Sequence, residues 1–160
     1  MNLLCIDPGT ESSGVVVIDT VTMDVVSIHG SASNWEVLDM VAIEYCEHMA
    51  IEMIQGQGMP VGRETFETCL WIGRFIQAFR NGQDHTLIYR GVVKDVLCGS
   101  RKAKDANIRQ ALLDRYPRSG GGKTPQIGTK AQQGPLFGMS THAWPALAVG
   151  HAWVEINKNK

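Results

Sequence analysis

A chain of 160 residues with 44% hydrophobic and 19% charged side chains is long enough for one domain with a core of its own and too apolar to be disordered. No basic stretch followed by an apolar run opens the sequence, and no apolar run approaches the ~20 residues that crossing a bilayer needs, so neither a signal peptide nor a membrane partner is expected. The net charge is −1, but residues 1–85 hold 12 acidic and 3 basic side chains while residues 86–130 hold 3 acidic and 10 basic, an acidic part followed by a surface suited to phosphates.

In chain order, NLLCID (2–7) reads as a buried strand, Gly9 and Gly14 punctuate a turn, and GVVVID (14–19) reads as a second strand returning beside the first. MDVVSI (23–28) is a third strand. Residues 33–47 carry apolar side chains at helical spacing behind Ser33 or Asn34 as N-cap. MAIEMI (49–54) is a short strand with a charge inside it. Residues 61–80 form a long helix with Phe66, Leu70, Ile72, Phe75, Ile76 and Phe79, ended by Asn81-Gly82. TLIY (86–89) is a fifth strand. One or two basic helices follow, the clearer over 105–116, stopped by Pro117. Residues 118–135, rich in Gly, Gln and Lys, have no apolar period and read as a mobile basic loop. THAWPALAVGHAWVEI (141–156) closes the chain as a helix. Three antiparallel strands followed by strand–helix units predict an α/β fold, a mixed sheet with helices on both faces. The cysteines, Cys5, Cys46, Cys69 and Cys98, are far apart and form no CxxC pair, as expected of reduced packing residues in a cytoplasmic protein.

Two carboxylates stand where core strands should be apolar. Asp7 ends the first strand and Glu52 sits within the fourth. An ionised carboxylate inside a sheet costs several kcal/mol unless it is paired, and neither has a lysine or arginine near it in sequence. If the two strands are neighbours, the carboxylates approach each other and call for a cation, for which a divalent metal is the usual choice. The plainer alternatives are a turn cap for Asp7 and a solvent-facing strand end for Glu52. His142 opens the closing helix, where a histidine is commonly a cap or a surface residue, and His151 reads as structural.

Taken together, IDPGTESSG with VVVID, the glutamate of AIEMI, the basic KAKDANIRQAL and a closing helix with ALAV resemble the RuvC family of Holliday-junction resolvases, over residues 2–155. The chain's size and the loop GQGMPVG resemble phage-type members. The resemblance implies a single RNase H-like domain over 1–160 with a central five-stranded mixed sheet. It implies four metal-binding positions. Asp7 and Glu52 match the first two. The last two, an acidic pair spaced i, i+3 at the start of the closing helix, fall on His142 and Pro145. Histidine is found at the first of these in some members, whereas Pro145 cannot ligate. Two Mg2+ ions about 4 Å apart would then flank the scissile phosphate, Asp7 bridging them and Glu52 and His142 holding one each. Mn2+, which tolerates imidazole better, would substitute.

The activity implied is metal-dependent hydrolysis of branched DNA, four-way junctions above all, giving paired nicks and needing no small-molecule cofactor. Lys94, Arg101, Lys102, Lys104, Arg109, Arg115, Arg118, Lys123 and Lys130 would neutralise DNA phosphates. A homodimer is implied, with the helix over 61–80 (Phe66, Leu70, Trp71, Phe75, Phe79) at its interface. Asp105 reads as the cap of its helix rather than as a ligand. Actin-like ATPases and sugar kinases share the opening motif but need two such domains. A YqgF-like RNA-processing nuclease and a non-catalytic junction-binding module are the remaining alternatives.

Overall fold

Leu3 to Ile6 can be apolar without a break because their strand lies at the centre of a sheet covered on both faces. The computed structural model describes residues 1–43, 45–79 and 83–158. Strands β1 (Asn2–Asp7), β2 (Ser12–Asp19) and β3 (Val25–Ser33) form an antiparallel meander, and β4 (His48–Met53) and β5 (His85–Tyr89) extend it in parallel from the other side of β1. The order is β3-β2-β1-β4-β5. Helices α1 (Asn34–Ile43) and α2 (Arg63–Ala78) pack one face, where Leu4, Ile6, Val15, Val17, Met49 and Ile51 meet Val37, Val41, Ile72 and Phe75. Helices α3 (Arg90–Cys98), α4 (Asp105–Leu113) and α5 (Ala143–Asn157) pack the other, over Leu3, Cys5, Val16, Ile18, Ala50 and Ile88. The five-stranded mixed sheet with helices on both faces is thus the observed architecture.

Side chains alternate between the faces of a strand. Asp7 therefore continues the series Leu3, Cys5, and Glu52 follows Ala50, so both carboxylates belong to the face covered by α3, α4 and α5. The parallel register pairs Ile6 with Ile51, which makes Asp7 and Glu52 the next residues along adjacent strands. Helix α5 lies directly over β1 and β2. It is buried around most of its circumference, and a Cβ added at Gly150 would stand 2.5 Å from Cys5 Sγ. Glycine there sets how closely helix and sheet approach.

The structure departs from the sequence reading at several edges. Strand β3 runs to Ser33 rather than stopping at residue 28, because His29 to Ser33 pair with β2 across a register shift despite their weak strand propensity. Helix α1 ends at Ile43, short of residue 47, and Tyr45 is exposed. Its start is as expected: Ser33 N–H donates to Glu36 Oε2 at 2.8 Å and Glu36 N–H donates to Ser33 Oγ at 3.3 Å, a reciprocal cap. The Asn81-Gly82 stop assigned to α2 lies outside the described residues. The basic stretch is two helices, separated by Gly99 at a φ of 71°.

Residues 118–135, for which a mobile basic loop is expected, lie outside the named helices and strands, and backbone hydrogen bonds set their course. Gly120 N–H donates to Pro125 O at 2.8 Å, Gly121 N–H to Gln132 O at 2.9 Å and Gly134 N–H to Ile127 O at 2.9 Å. The buried Gln126 side chain donates to Leu113 O at 3.2 Å. These bonds need no apolar period, and the glycines admit backbone approaches closed to other residues: a Cβ at Gly128 would lie 2.3 Å from Gly134 N.

Among the described residues the four cysteines form no disulfide, and no helix is long and apolar enough to cross a membrane. His151 is buried, as its structural reading requires. Tyr116 O–H donates to Met23 O at 3.1 Å, so the 2.9 Å contact between Tyr116 and His151 Nε2 has the neutral imidazole donating. Burial, helped by the Arg115 charge, lowers the His151 imidazole to about 4. The unfolded chain takes up this proton near pH 6.5 and the folded chain only near 4, so stability is lost as pH falls through that window. In urea unfolding the wild type is expected to lose about 2–3 kcal/mol from this group between pH 6.5 and 4, and His151→Gln to flatten that slope. An unchanged slope in the variant would contradict the assignment.

Candidate active site

Asp7 and Glu52 follow the paired Ile6 and Ile51 at the ends of adjacent strands, near enough for the Glu52 charge to act on Asp7. Both are largely buried at the carboxyl ends of β1 and β4. Burial, and next the charge of Glu52, lift the Asp7 carboxyl from an ordinary 3.8 to about 7. Burial lifts Glu52 as well, opposed by Arg90. The Arg90 guanidinium is the cation that the sequence did not disclose. Its Nη1 donates to Glu52 Oε1 at 3.1 Å and stands 3.4 Å from Oε2, and its Nη2 donates to Asp105 Oδ1. Asp105 is the first residue of α4, and Lys104 holds the cap position. Its carboxylate therefore pairs with Arg90 instead of capping the helix.

His142 approaches from the other side, with Nδ1 3.9 Å from Asp7 Oδ2. It occupies the N-cap of α5 but makes no capping bond with its side chain, which leaves the imidazole available. Its position is set by β2. Gly14 pairs with Asp7 in the sheet, and a Cβ at Gly14 would lie 1.9 Å from His142 O. Only glycine there lets the start of α5 come this close to the carboxylate. The turn after Asp7 is held by a buried polar network. Gly9 N–H donates to Ser13 Oγ at 3.2 Å, Ser13 O–H to Asn34 Oδ1 at 2.6 Å, and the Asn34 amide to Gly9 O at 2.9 Å. Pro145 falls in the first turn of α5, where its missing N–H costs no helix bond.

A cleft of about 540 Å³ opens on the Glu52–Arg90–Asp105 side of the site, with Asp7 and His142 outside its walls. Glu52, Arg90, Asp105, Arg109, Trp144 and Pro145 are among its walls. Arg109 lies over the Trp144 ring, 4.8 Å from the centroid. Of the basic residues read as DNA contacts, Arg109 lines this cleft, and Lys94 is half-buried with its charge acting on Glu52. Arg101 lines a second groove with Tyr89 and Gly56. Lys102 and Lys104 are exposed between α3 and α4, Arg115 follows α4, and Arg118, Lys123 and Lys130 are exposed on the glycine-rich loop.

The donor set can be tested against the ions that the resemblance implies. Among the described residues no three His, Cys, Asp or Glu side chains stand together as a ready metal cage. Asp7 Oδ2 and His142 Nδ1 are nevertheless within the span of about 4.2 Å that two ligands of one ion at ~2.1 Å can bridge. Magnesium commonly takes one or two protein ligands and fills the rest with water and phosphate oxygens. One ion fits on Asp7 and His142. A second would have to share Glu52 with Arg90 and would find proline where the fourth ligand is expected.

Arg90 could have been found from the sequence. It is the residue directly after the fifth strand, and a parallel partner of β4 ends at the same edge as Glu52, with Glu52 paired to Ile88. What concealed it was the separation of 38 positions between the partners.

A five-stranded mixed sheet of this order, with helices on both faces, has the RNase H-like fold. Within it, the chain is similar to the solved structure of RuvC from Thermus thermophilus, with a TM-score of 0.67 at 14% identity over 99% of this chain and 96% of that one. It is equally similar to T. thermophilus RuvC solved in complex with its Holliday junction substrate, with a TM-score of 0.67 at 15% identity, covering 95% and 92% of the two chains. At that identity the likeness establishes a RuvC-like fold across nearly the whole chain. No family model matches the sequence, and no curated protein matches it.

Because the folded state holds Asp7 near 7 while the unfolded chain holds it near 3.8, its ionisation opposes folding fully above pH 7 and not at all below 3.8. In chelator at pH 8, Asp7→Asn is expected to raise unfolding stability by about 2–4 kcal/mol, with the gain shrinking as pH falls towards 4. A loss of stability at pH 8 would show that the carboxylate is compensated in the fold.

Proposed function

We propose that the chain is a divalent-metal-dependent endonuclease that cuts branched DNA, four-way junctions in particular. The observation that carries this reading is the approach of His142 to Asp7 at the end of β1, with Glu52 at the end of the neighbouring β4 and the basic α3–α4 segment beside it, on a RuvC-like fold. Mg2+, with Mn2+ as the better partner of an imidazole, suits Asp7 and His142. A bound ion would lower the pKa of a water and polarise the phosphodiester.

The chain's own groups do the rest. The Gly9–Ser13–Asn34 network holds the turn that leaves Asp7, so the backbone of this strand end is set before DNA arrives. His142 is held by the Gly14 contact. Glu52 and Arg90 form a charged wall of the cleft, and Arg109, braced on Trp144, offers a cation to a phosphate entering it. The exposed lysines and arginines of the α3–α4 turn and the glycine-rich loop supply the sequence-independent attraction to a phosphate backbone. They fix its register without reading bases.

Paired nicks need two such sites. The exposed Phe66 and Leu70 of α2, with Met59 and Val61 before it, support a homodimer in which a second copy covers them. Phe75 and Phe79, grouped with them in the sequence reading, are fully buried in the core.

Cleavage of a labelled four-way junction and of a linear duplex, each with Mg2+ and with Mn2+, tests the reading. The wild type is expected to make paired symmetrical nicks in the junction, faster with Mn2+, and Asp7→Asn to lose at least 10²-fold in rate while still binding. Tight junction binding without nicking by the wild type would make the chain a binding module. No preference for the junction would return the RNA-processing alternative.

A further inference from the structure

We propose that Arg90 is the resident cation on the Glu52 side of the site, so that each protomer holds one divalent ion, on Asp7 and His142, instead of two. The inference rests on the metal-dependent reading above and changes what that reading requires.

The geometry assigns both oxygens of Glu52 to one guanidinium nitrogen, at 3.1 and 3.4 Å. An ion on Glu52 would have to displace that nitrogen or lie beside it. Arginine does not give up its proton in proteins, so the repulsion cannot be relieved by neutralising it. The other terminal nitrogen of Arg90 is paired with Asp105 at the start of α4, so withdrawal from Glu52 would disturb that pair as well. Arg90 itself begins α3 directly after β5. The guanidinium is thus tied between two helix starts and the end of β4.

Charge balance leads to the same assignment. Asp7, Glu52 and Asp105 against Arg90 and Lys94, whose charge also acts on Glu52, leave a net charge of −1, which one divalent ion already outweighs. A second ion would leave +3 in a partly buried site, and Pro145 supplies no further carboxylate to absorb it. Arg90 also lines the cleft. With five N–H donors it can hold the two carboxylates and still offer a donor to a phosphate oxygen. A positive charge fixed by the fold, with no ion to recruit, would then face the scissile phosphate on that side.

Mn2+ titration by isothermal calorimetry, with the number of bound ions confirmed by electron paramagnetic resonance of free Mn2+, tests this without any turnover. The wild type is expected to bind one Mn2+ per protomer with a single-site isotherm. Arg90→Ala is expected to bind two, because Glu52 and Asp105 are then released to an ion. Arg90→Lys, which keeps the charge, is expected to stay at one, and circular dichroism verifies that each variant is folded. Asp7→Asn should weaken the remaining site at least tenfold. Two ions on the wild type, or one on both the wild type and a folded Arg90→Ala, would overturn this inference while leaving the metal-dependent reading intact. No Mn2+ binding by the wild type would overturn the metal-dependent reading, and this inference with it.

Discussion

Parallel pairing of β1 with β4 forces two carboxylates together. The pairing register brings Ile6 opposite Ile51, and the next step along each strand is an acid. Both side chains point to the same face, because strand alternation leaves no choice once Leu3, Cys5 and Ala50 are buried beneath α5. A single-residue slip in register would send one carboxylate to the α1–α2 side, among Ile6, Ile51 and Phe75. The hydrophobic pattern that holds the sheet in register therefore also holds the acids together. Burial, and next the charge of Glu52, raise Asp7 to about 7.

Everything around that pair serves to limit or exploit the cost of its burial. The glycine at position 14 lets the first turn of α5 settle against β2, which brings His142 beside Asp7. Ser13 and Asn34, both buried, fix the turn that leaves Asp7. Arg90 arrives from the end of β5 and binds Glu52, so the site has a cation of its own before any metal is added. The cleft between α4 and α5 gives the group of charges an opening to a ligand, and the basic residues beyond it match the charge of a nucleic acid backbone. These elements come from separate parts of the chain and meet only because the sheet order is β3-β2-β1-β4-β5.

Asp7 and Glu52 were legible in the sequence because each is a charge in an otherwise apolar strand. The five strands and the two-faced sheet followed from apolar runs and helical spacing. Arg90 was not legible in the same way, since its role depends on which strand lies beside β4. Helix α2 shows another limit. Its apolar residues form two stripes, Ile72, Phe75 and Phe79 facing the core and Phe66 with Leu70 facing out, and composition alone merges them. The glycine-rich loop hides its structure from any hydrophobic pattern because backbone hydrogen bonds hold it. His142 gained meaning only beside Gly14, a contact between residues 128 positions apart in sequence.

The proposed metal site at the strand ends consists of Asp7 and His142. Diffraction at the manganese absorption edge, from crystals grown with Mn2+, measures this directly. An anomalous peak bonded to both Asp7 Oδ2 and His142 Nδ1 at about 2.1–2.3 Å is expected, with Arg90 still on Glu52. Crystals with Mn2+ in excess and no peak at the strand ends would contradict it.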